Sequence, residues 1–187
     1  MLGHSMTRSF SGFEVISLSR KELDITCYAA VRQQFYLHKP QYVINCAAYT
    51  AVDKAESEPA AAFQINYSAV RVIARIAKQI DATLIHFSTD YMFDGTSEHP
   101  YLPCDITNPI NVYGANKLME ENAIRSLDMR YYIFRISWLY AAHGKNFFRW
   151  VMENDLEEMK VVDNQKGSPT SAADVAAFIE HVIGQDP

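Results

Sequence analysis

Short apolar runs alternate along the chain with stretches whose apolar residues recur every three to four positions. The pattern predicts strands at residues 13–18, 42–47, 83–88 and 131–137, with a weaker fifth at residues 160–163. These runs are almost continuously apolar, which is typical of strands that are buried on both faces. Alternating strand and helix patterns therefore predict an α/β fold with a parallel sheet and helices on both of its faces.

The segments between the apolar runs predict helices. They cover residues 28–37, 60–80, 111–126, 146–153 and 171–183. Ser171 is a suitable N-cap for the last helix, and Asp174 stands in its first turn. In parallel sheets of this kind, ligands bind beyond the carboxyl ends of the strands, so the chemistry is expected in the residues that follow the apolar runs.

Charge and composition exclude several classes of protein. Seventeen basic residues stand against 22 acidic ones, a net charge of −5, which leaves no excess of cations for binding nucleic acid. No apolar run approaches the ~20 residues that a membrane span needs, and the first residues do not resemble a secretion signal. The three cysteines form no CxxC pair, which favours a reducing cytoplasm and predicts no zinc or other metal site.

Two strand ends carry residues that could serve a ligand. The third run ends in Ser88-Thr89-Asp90, which would direct a hydroxyl and a carboxylate into one crevice. Capping of the next turn is an equally good interpretation of these residues. The second run is followed by Ala47 and Ala48, whose small side chains would let a flat ligand approach the backbone, although a tight strand exit needs small residues too.

Tyr113 and Lys117 stand four positions apart in a predicted helix and so share one face. A free phenol has a pKa near 10, and a nearby cation is expected to lower that pKa. A tyrosine tuned in this way can donate a proton to a carbonyl oxygen as hydride arrives at the carbon. The Tyr-x-x-x-Lys spacing is common by chance, but it gains specificity from the Ser-Thr strand end upstream.

Ser19 and Arg20 follow the first apolar run, where a nucleotide-binding sheet meets the adenosine ribose. An acidic residue there would hold the ribose 2′-hydroxyl, whereas an arginine can accommodate a 2′-phosphate. This pair favours NADPH as the cofactor, with NADH as an alternative. An ordinary solvated arginine in a loop is the competing interpretation.

Several stretches carry a family resemblance over nearly the whole chain. They are LDIT at 23–26, VINCAAYTAVDKAESEP at 43–59, STDYMFDG at 88–95, NPINVYGANK at 108–117, RISWLY at 135–140, GKNF at 144–147 and DNQKGSPTSA at 163–172. In these stretches the chain resembles the dTDP-4-dehydrorhamnose reductases of the extended short-chain dehydrogenase/reductase superfamily. The Tyr-x-x-x-Lys pair is common to the superfamily, whereas the stretch at 43–59 is particular to this family.

The resemblance implies a Rossmann-like doubly wound parallel sheet and the start of a small C-terminal substrate domain. The cofactor-binding domain would cover residues 1–143, and partial substrate-domain elements would cover residues 144–187. The chain begins at the tail of the family's glycine-rich turn, with Gly3 as its third glycine, and the family continues beyond residue 187. We therefore expect a sheet that lacks its first, central strand.

The resemblance also implies a reaction, the NADPH-dependent reduction of the C4 ketone of dTDP-4-dehydro-L-rhamnose to dTDP-L-rhamnose. Tyr113 would donate the proton, Lys117 would hold the nicotinamide ribose, and Thr89 would bind the ketone oxygen. Asp90 and Trp138 would also contact the sugar nucleotide. The cofactor would further contact Met1, Leu2, Gly3, Ser19, Arg20, Asp24, Ile25, Ala47, Ala48, Tyr49, Thr50 and Phe87.

Two other functions fit the same sequence less well. One is a non-catalytic regulatory subunit that resembles the methionine adenosyltransferase regulatory subunit. The other is a sugar-nucleotide epimerase or dehydratase, which would favour an acidic residue in place of Ser19-Arg20. A homodimer in the cytoplasm is the expected form of the reductase.

Overall fold

A computed structural model of the protein describes residues 1–154, 158 and 161–185. The helices are, in chain order, α1 (Leu2–Ser9), α2 (Tyr28–His38), α3 (Val52–Ser57), α4 (Pro59–Phe63), α5 (Val70–Gln79), α6 (Val112–Arg125), α7 (Phe147–Glu153) and α8 (Ala172–Gln185). The strands are β1 (Tyr42–Asn45), β2 (Thr83–Thr89), β3 (Tyr131–Ile136), β4 (Leu139–Tyr140) and β5 (Thr170–Ser171).

The chain forms two compact units. One comprises residues 18–135, and the other comprises residues 1–17 together with residues 136–187. These units are defined by packing, whereas the predicted cofactor-binding and substrate domains, divided at residue 143, are defined by function. The division into functional domains therefore stays a prediction.

A three-stranded sheet in the order β1-β2-β3 forms the centre of the first unit. Strands β1 and β2 are parallel, with Tyr42 opposite Thr83 and Asn45 opposite His86. Every residue of β2 is buried, which explains its continuous apolar pattern. The parallel pair and the alternation of helices with strands confirm the predicted α/β class.

The core of this unit lies where α2 and α5 pack together. Val70, Ile73, Ala74 and Ala77 are buried on α5, at the spacing that lines one face of a helix. They join Val31, Phe35, Ile76, Ala82, Leu84 and Ile124 in one apolar cluster. The helix that was predicted over residues 60–80 forms as α4 and α5, joined by a π-helical turn over Gln64–Ala69.

The second unit is built on α1 and α8, which pack against each other. Ser9 on α1 donates a hydrogen bond to Glu180 of α8 at 3.1 Å. Strands β4 and β5 form a short parallel pair. The predicted capping role of Ser171 is confirmed, since its hydroxyl oxygen accepts a hydrogen bond from the backbone N–H of Asp174 at 3.3 Å.

The strand predicted at residues 13–18 does not form. This run belongs to neither sheet, and Phe13, Val15, Ile16 and Leu18 are between 38% and 46% exposed. An apolar run forms a strand only when a neighbouring strand makes hydrogen bonds with its backbone N–H and C=O groups. None of the described strands pairs with this run. Residues 161–163 also form no strand, and Lys160 lies outside the described residues.

None of the described helices is both long enough and apolar enough to cross a bilayer.

Candidate active site

The carboxyl end of β2 and the first turn of α6 bring Thr89 and Tyr113 together. Both residues are buried, with 5% and 8% of their surface exposed, and their side chains are hydrogen-bonded to each other. The Thr89 hydroxyl also donates to Asp90 at 3.1 Å and accepts from the backbone N–H of Tyr91 at 3.2 Å. The strand-end hydroxyl of Thr89 therefore lies within hydrogen-bonding distance of Tyr113, and Thr89 caps the following turn as well.

Local structure sets the position of Tyr113. Asn111 caps α6, because its side-chain oxygen accepts a hydrogen bond from the backbone N–H of Gly114 at 2.7 Å. Gly114 then lets the helix approach the segment after β2 so closely that a Cβ would overlap the carbonyl oxygen of Tyr91. The rings of Tyr91 and Tyr113 meet edge to face at 5.7 Å.

Lys117 lies one helical turn after Tyr113, as the spacing predicted. Its side chain is only 2% exposed. The ammonium donates a hydrogen bond to the carbonyl of Phe87 on β2 at 2.6 Å and forms an ion pair with Glu120. Lys117 is therefore held against β2 by contacts that it makes with the protein itself.

The expectation that Lys117 lowers the pKa of Tyr113 is wrong. Burial raises the pKa of the Tyr113 phenol to about 12, and the charges of Glu120 and Asp90 act in the same direction. Only the hydrogen bond with Thr89 works against them. The spacing of Tyr113 and Lys117 alone does not reveal Glu120, which forms a buried ion pair with Lys117.

Asp90 lies beside Thr89 at the end of β2. Burial raises the pKa of its carboxyl, while hydrogen bonds from Thr89 and from backbone N–H groups lower it to a smaller extent. The strand end thus combines the protonated hydroxyls of Thr89 and Tyr113 with the Asp90 carboxyl, whose ionised form is disfavoured by burial. These groups suit contact with a neutral, polar ligand.

The segment after β1 exposes Ala47, Ala48 and Thr50. Asn66, which is 1% exposed, accepts a hydrogen bond from the backbone N–H of Tyr49 at 2.8 Å and donates to the Tyr49 carbonyl at 3.0 Å. Asn66 therefore holds this segment in place. Sequence reasoning missed Asn66, although its position on the apolar stripe, three residues after Phe63 and four before Val70, was a usable signal.

Ser19, Arg20 and Asp24 lie exposed before α2. Asp24 Oδ1 accepts hydrogen bonds from the backbone N–H of Thr26 at 2.9 Å and from its hydroxyl at 2.8 Å. These bonds, and to a smaller extent the charge of Arg20, lower the pKa of Asp24. Ile25 packs against the apolar core. The segment thus presents side chains of both signs beside each other.

The other predicted site residues belong to the second unit. Met1, Leu2 and Gly3 stand at the start of α1. Trp138 is 45% exposed and adopts a positive φ of 45°. A Cβ on Gly167 would lie 3.0 Å from the Trp138 indole, so this glycine makes room for the ring.

A buried polar cluster beneath Lys117 was not predicted. Glu120 is 0% exposed and His86 is 1% exposed, and Nε2 of His86 lies 2.7 Å from Oε1 of Glu120. The sequence signal was a histidine inside the apolar run of β2. No group of three or more His, Cys, Asp or Glu in the described part of the chain could hold a metal ion.

Comparison with known proteins relates this geometry to a family. The sequence model of the RmlD substrate binding domain matches residues 1–186. A dTDP-4-dehydrorhamnose reductase from Burkholderia thailandensis is 40% identical over 185 residues, which cover 97% of this chain and 62% of the relative. The chain spans between 49% and 62% of the length of the first three curated relatives that it matches.

Solved structures agree with this similarity. The crystal structure of a dTDP-4-dehydrorhamnose reductase from Clostridium acetobutylicum superimposes with a TM-score of 0.93 at 39% identity, covering 98% of this chain and 67% of that one. The corresponding protein from Bacillus anthracis, crystallised in complex with NADP, gives a TM-score of 0.94 at 36% identity, with the same two coverages.

Proposed function

Because the chain belongs to the RmlD substrate-binding domain family, we propose that it serves the NADPH-dependent reduction of dTDP-4-dehydro-L-rhamnose to dTDP-L-rhamnose. The observation that carries this proposal is the buried pair of Tyr113 and Thr89 at the carboxyl end of β2, with Lys117 one helical turn away. Parallel sheets bind their ligands at this edge.

Tyr113 is the proton donor in this proposal. The raised pKa of about 12 keeps its hydroxyl protonated at neutral pH, which is the form that reduction of a ketone requires. Thr89 holds the Tyr113 hydroxyl, and its single hydroxyl proton would turn from Asp90 to the ketone oxygen when the sugar nucleotide binds. Asp90 and Trp138 contact the sugar nucleotide.

The proposed reaction adds one hydride and one proton to the C4 carbonyl group. NADPH, when bound, supplies the hydride that adds to the C4 carbonyl carbon. As the carbonyl π bond breaks, its electrons move to the oxygen, and that oxygen takes the proton from the Tyr113 hydroxyl. The products are the C4 alcohol and the oxidised cofactor, and Tyr113 regains a proton from solvent.

The residues after β1 fit a dinucleotide. The side chains of Ala47 and Ala48 are small and exposed, so they leave the backbone accessible to a flat ring, and Tyr49, Thr50 and Phe87 would complete this contact. The Lys117 ammonium has three N–H donors. Two of them contact the Phe87 carbonyl and the Glu120 carboxylate, so one remains for a ribose hydroxyl.

A second group of residues would hold the adenosine end of the cofactor. Arg20 is an exposed guanidinium that suits a 2′-phosphate, with Ser19, Asp24 and Ile25 beside it. Met1, Leu2 and Gly3 would face the pyrophosphate. NADPH is accordingly the proposed cofactor, and NADH is the alternative.

The proposal includes a homodimer in the cytoplasm. Cys27, Cys46 and Cys104 are free thiols, as a reducing compartment favours. Sedimentation of the purified chain would test the dimer. No observation favours the regulatory subunit or the epimerase, so neither is retained.

The test is an assay of NADPH oxidation by the purified chain with dTDP-4-dehydro-L-rhamnose, followed by identification of the sugar product. We expect turnover that depends on the sugar nucleotide and yields dTDP-L-rhamnose. Calorimetric binding of NADPH without turnover would remove the reductase activity from this chain while retaining the cofactor site. Absence of both binding and turnover would contradict the proposal.

A further inference from the structure

Helix α3 packs against α6 on the side that carries Tyr113. Ala55 of α3 and Ala62 of α4 are both 0% exposed, and they form one buried cluster with Tyr113. Since alanine has no side-chain atom beyond Cβ, close packing here brings the backbones of α3 and α4 near the Tyr113 ring. Tyr113 therefore rests on α3 as well as on the end of β2.

Glu56 connects α3 to the first residue of α6. Its Oε1 accepts a hydrogen bond from the backbone N–H of Val112 at 2.8 Å. The first N–H groups of a helix have no partner within the helix, and a side chain close by in sequence normally caps them. Asn111 does so for Gly114 at 2.7 Å, whereas Val112 receives its acceptor from a residue 56 positions earlier in the chain. A carboxylate there also suits the positive end of the helix dipole.

Helix α3 is also attached to the segment after β1, where the cofactor is expected. Tyr49 of that segment packs against the cluster around Tyr113. The Tyr49 hydroxyl donates a hydrogen bond to Glu58 at 2.8 Å, and Glu58 forms an ion pair with Lys54 of α3 at 2.9 Å. Side-chain contacts therefore link α3 both to the cofactor segment and to the first turn of α6.

We propose that Glu56 is a positioning residue for Tyr113. By holding the N–H of Val112, it fixes the first turn of α6 on α3 and so sets the place of the Tyr113 hydroxyl relative to the cofactor segment. A displacement of about 1 Å can slow a reaction about 100-fold, so a single hydrogen bond at this point affects the rate. This inference rests on the proposed function, in which hydride and proton reach one carbonyl group from these two places.

The first test follows the Tyr113 ring by NMR in a chain with isotope-labelled tyrosine, and it needs neither cofactor nor substrate. The Tyr113 signal is the one that Tyr113→Phe removes. Because this ring meets that of Tyr91 edge to face at 5.7 Å, a small displacement changes the ring current that it experiences. We expect Glu56→Ala to move the signal by more than its wild-type line width. Glu56 is exposed and alanine favours a helix, so this variant is expected to fold.

Glu56→Gln is the matched variant, because its amide oxygen still accepts a hydrogen bond although the charge is lost. We expect its Tyr113 signal to stay within the wild-type line width. Asp53→Ala is the control, since it removes another exposed carboxylate of α3, one whose side chain makes no hydrogen bond or ion pair among the described residues. An unmoved signal in Glu56→Ala, or an equal displacement in Glu56→Gln or Asp53→Ala, would overturn the proposal.

The second test separates positioning from binding. We expect Glu56→Ala to lower kcat at least about fivefold, with the KM for the sugar nucleotide and the calorimetric affinity for NADPH almost unchanged, and Glu56→Gln to restore most of the rate. A higher KM at an unchanged kcat would refute positioning, because it would show that Glu56 serves binding. If the Tyr113 signal moves as expected but the wild-type chain reduces no sugar nucleotide, the proposed function fails and the placement of Tyr113 by Glu56 stands.

Discussion

The Cα of Gly114 lies against the backbone carbonyl of Tyr91, and a Cβ at this position would overlap the carbonyl oxygen and lie 2.9 Å from its carbon. This approach brings the first turn of α6 to the end of β2, and with it Tyr113 to Thr89. A residue larger than glycine at position 114 would move α6 away from β2 and separate the Tyr113 and Thr89 hydroxyls.

Gly114→Ala is therefore expected to push α6 away from β2. We expect the free energy of unfolding to fall by about 1–3 kcal/mol, as for other overpacked sites, together with a loss of the proposed reductase activity. Denaturant unfolding measures the first effect. Gly184→Ala is the control, because a Cβ there meets no atom within 4 Å, and alanine favours a helix by up to about 1 kcal/mol. Equal stability of the two variants would contradict the close approach.

Tyr113→Phe removes the hydroxyl that is the proposed proton donor and leaves the ring in place. We expect the turnover rate to fall at least about 100-fold, while calorimetry finds the affinity for NADPH almost unchanged. Tyr91→Phe, which alters the neighbouring ring in contact with Tyr113, should retain activity. Turnover that survives in Tyr113→Phe would show that another group donates the proton.

Arg20→Ala should weaken NADPH at least about tenfold, as loss of a charge-assisted hydrogen bond implies, and should change the affinity for NADH little. The measurement is a calorimetric titration with each cofactor. Arg32→Ala is the matched control, since Arg32 stacks on Tyr36 at 4.8 Å and belongs to no proposed site. Equal weakening of both cofactors would argue against a contact with the 2′-phosphate.

Gly167→Ala should displace the indole of Trp138, since the new Cβ would lie 3.0 Å from the ring. We expect a shift in tryptophan emission and a higher KM for the sugar nucleotide. The chain has two tryptophans, so the emission is measured in a Trp150→Phe background. Unchanged emission would mean that the ring does not rest on Gly167.

Glu121→Gln should reduce stability in a pH-dependent way. Burial raises the pKa of Glu121, but hydrogen bonds from Arg135 and Ser88, together with the charges of Arg135 and Arg125, outweigh it and hold the pKa below its ordinary value of 4.5. A depressed carboxyl pKa contributes stability that is fully present above 4.5 and is lost as the pH falls through the lower, folded-state pKa. We expect a deficit of about 2 kcal/mol at neutral pH that shrinks in acid. A deficit independent of pH would exclude this ion pair as its source.

Much of the fold follows from local sequence. The predicted helix at residues 28–37 corresponds to α2 (Tyr28–His38), and the predicted run at residues 83–88 corresponds to β2 (Thr83–Thr89). Helical periodicity, caps such as Asn111 and continuous apolar runs act within a few residues of each other. The run at residues 13–18 was wrong, because a strand also requires a neighbour that local sequence does not specify.

Local spacing is enough to place Tyr113 and Lys117 on one helix face, because side chains four residues apart lie together in any α-helix. The ionisation and contacts of these residues depend on the packing of distant segments. This packing brought Thr89 to Tyr113, buried the phenol, and placed Glu120 and His86 beneath Lys117. A pKa depends on solvent exposure, nearby charges and hydrogen bonds. These are set only when strands and helices that are distant in sequence have packed around the group.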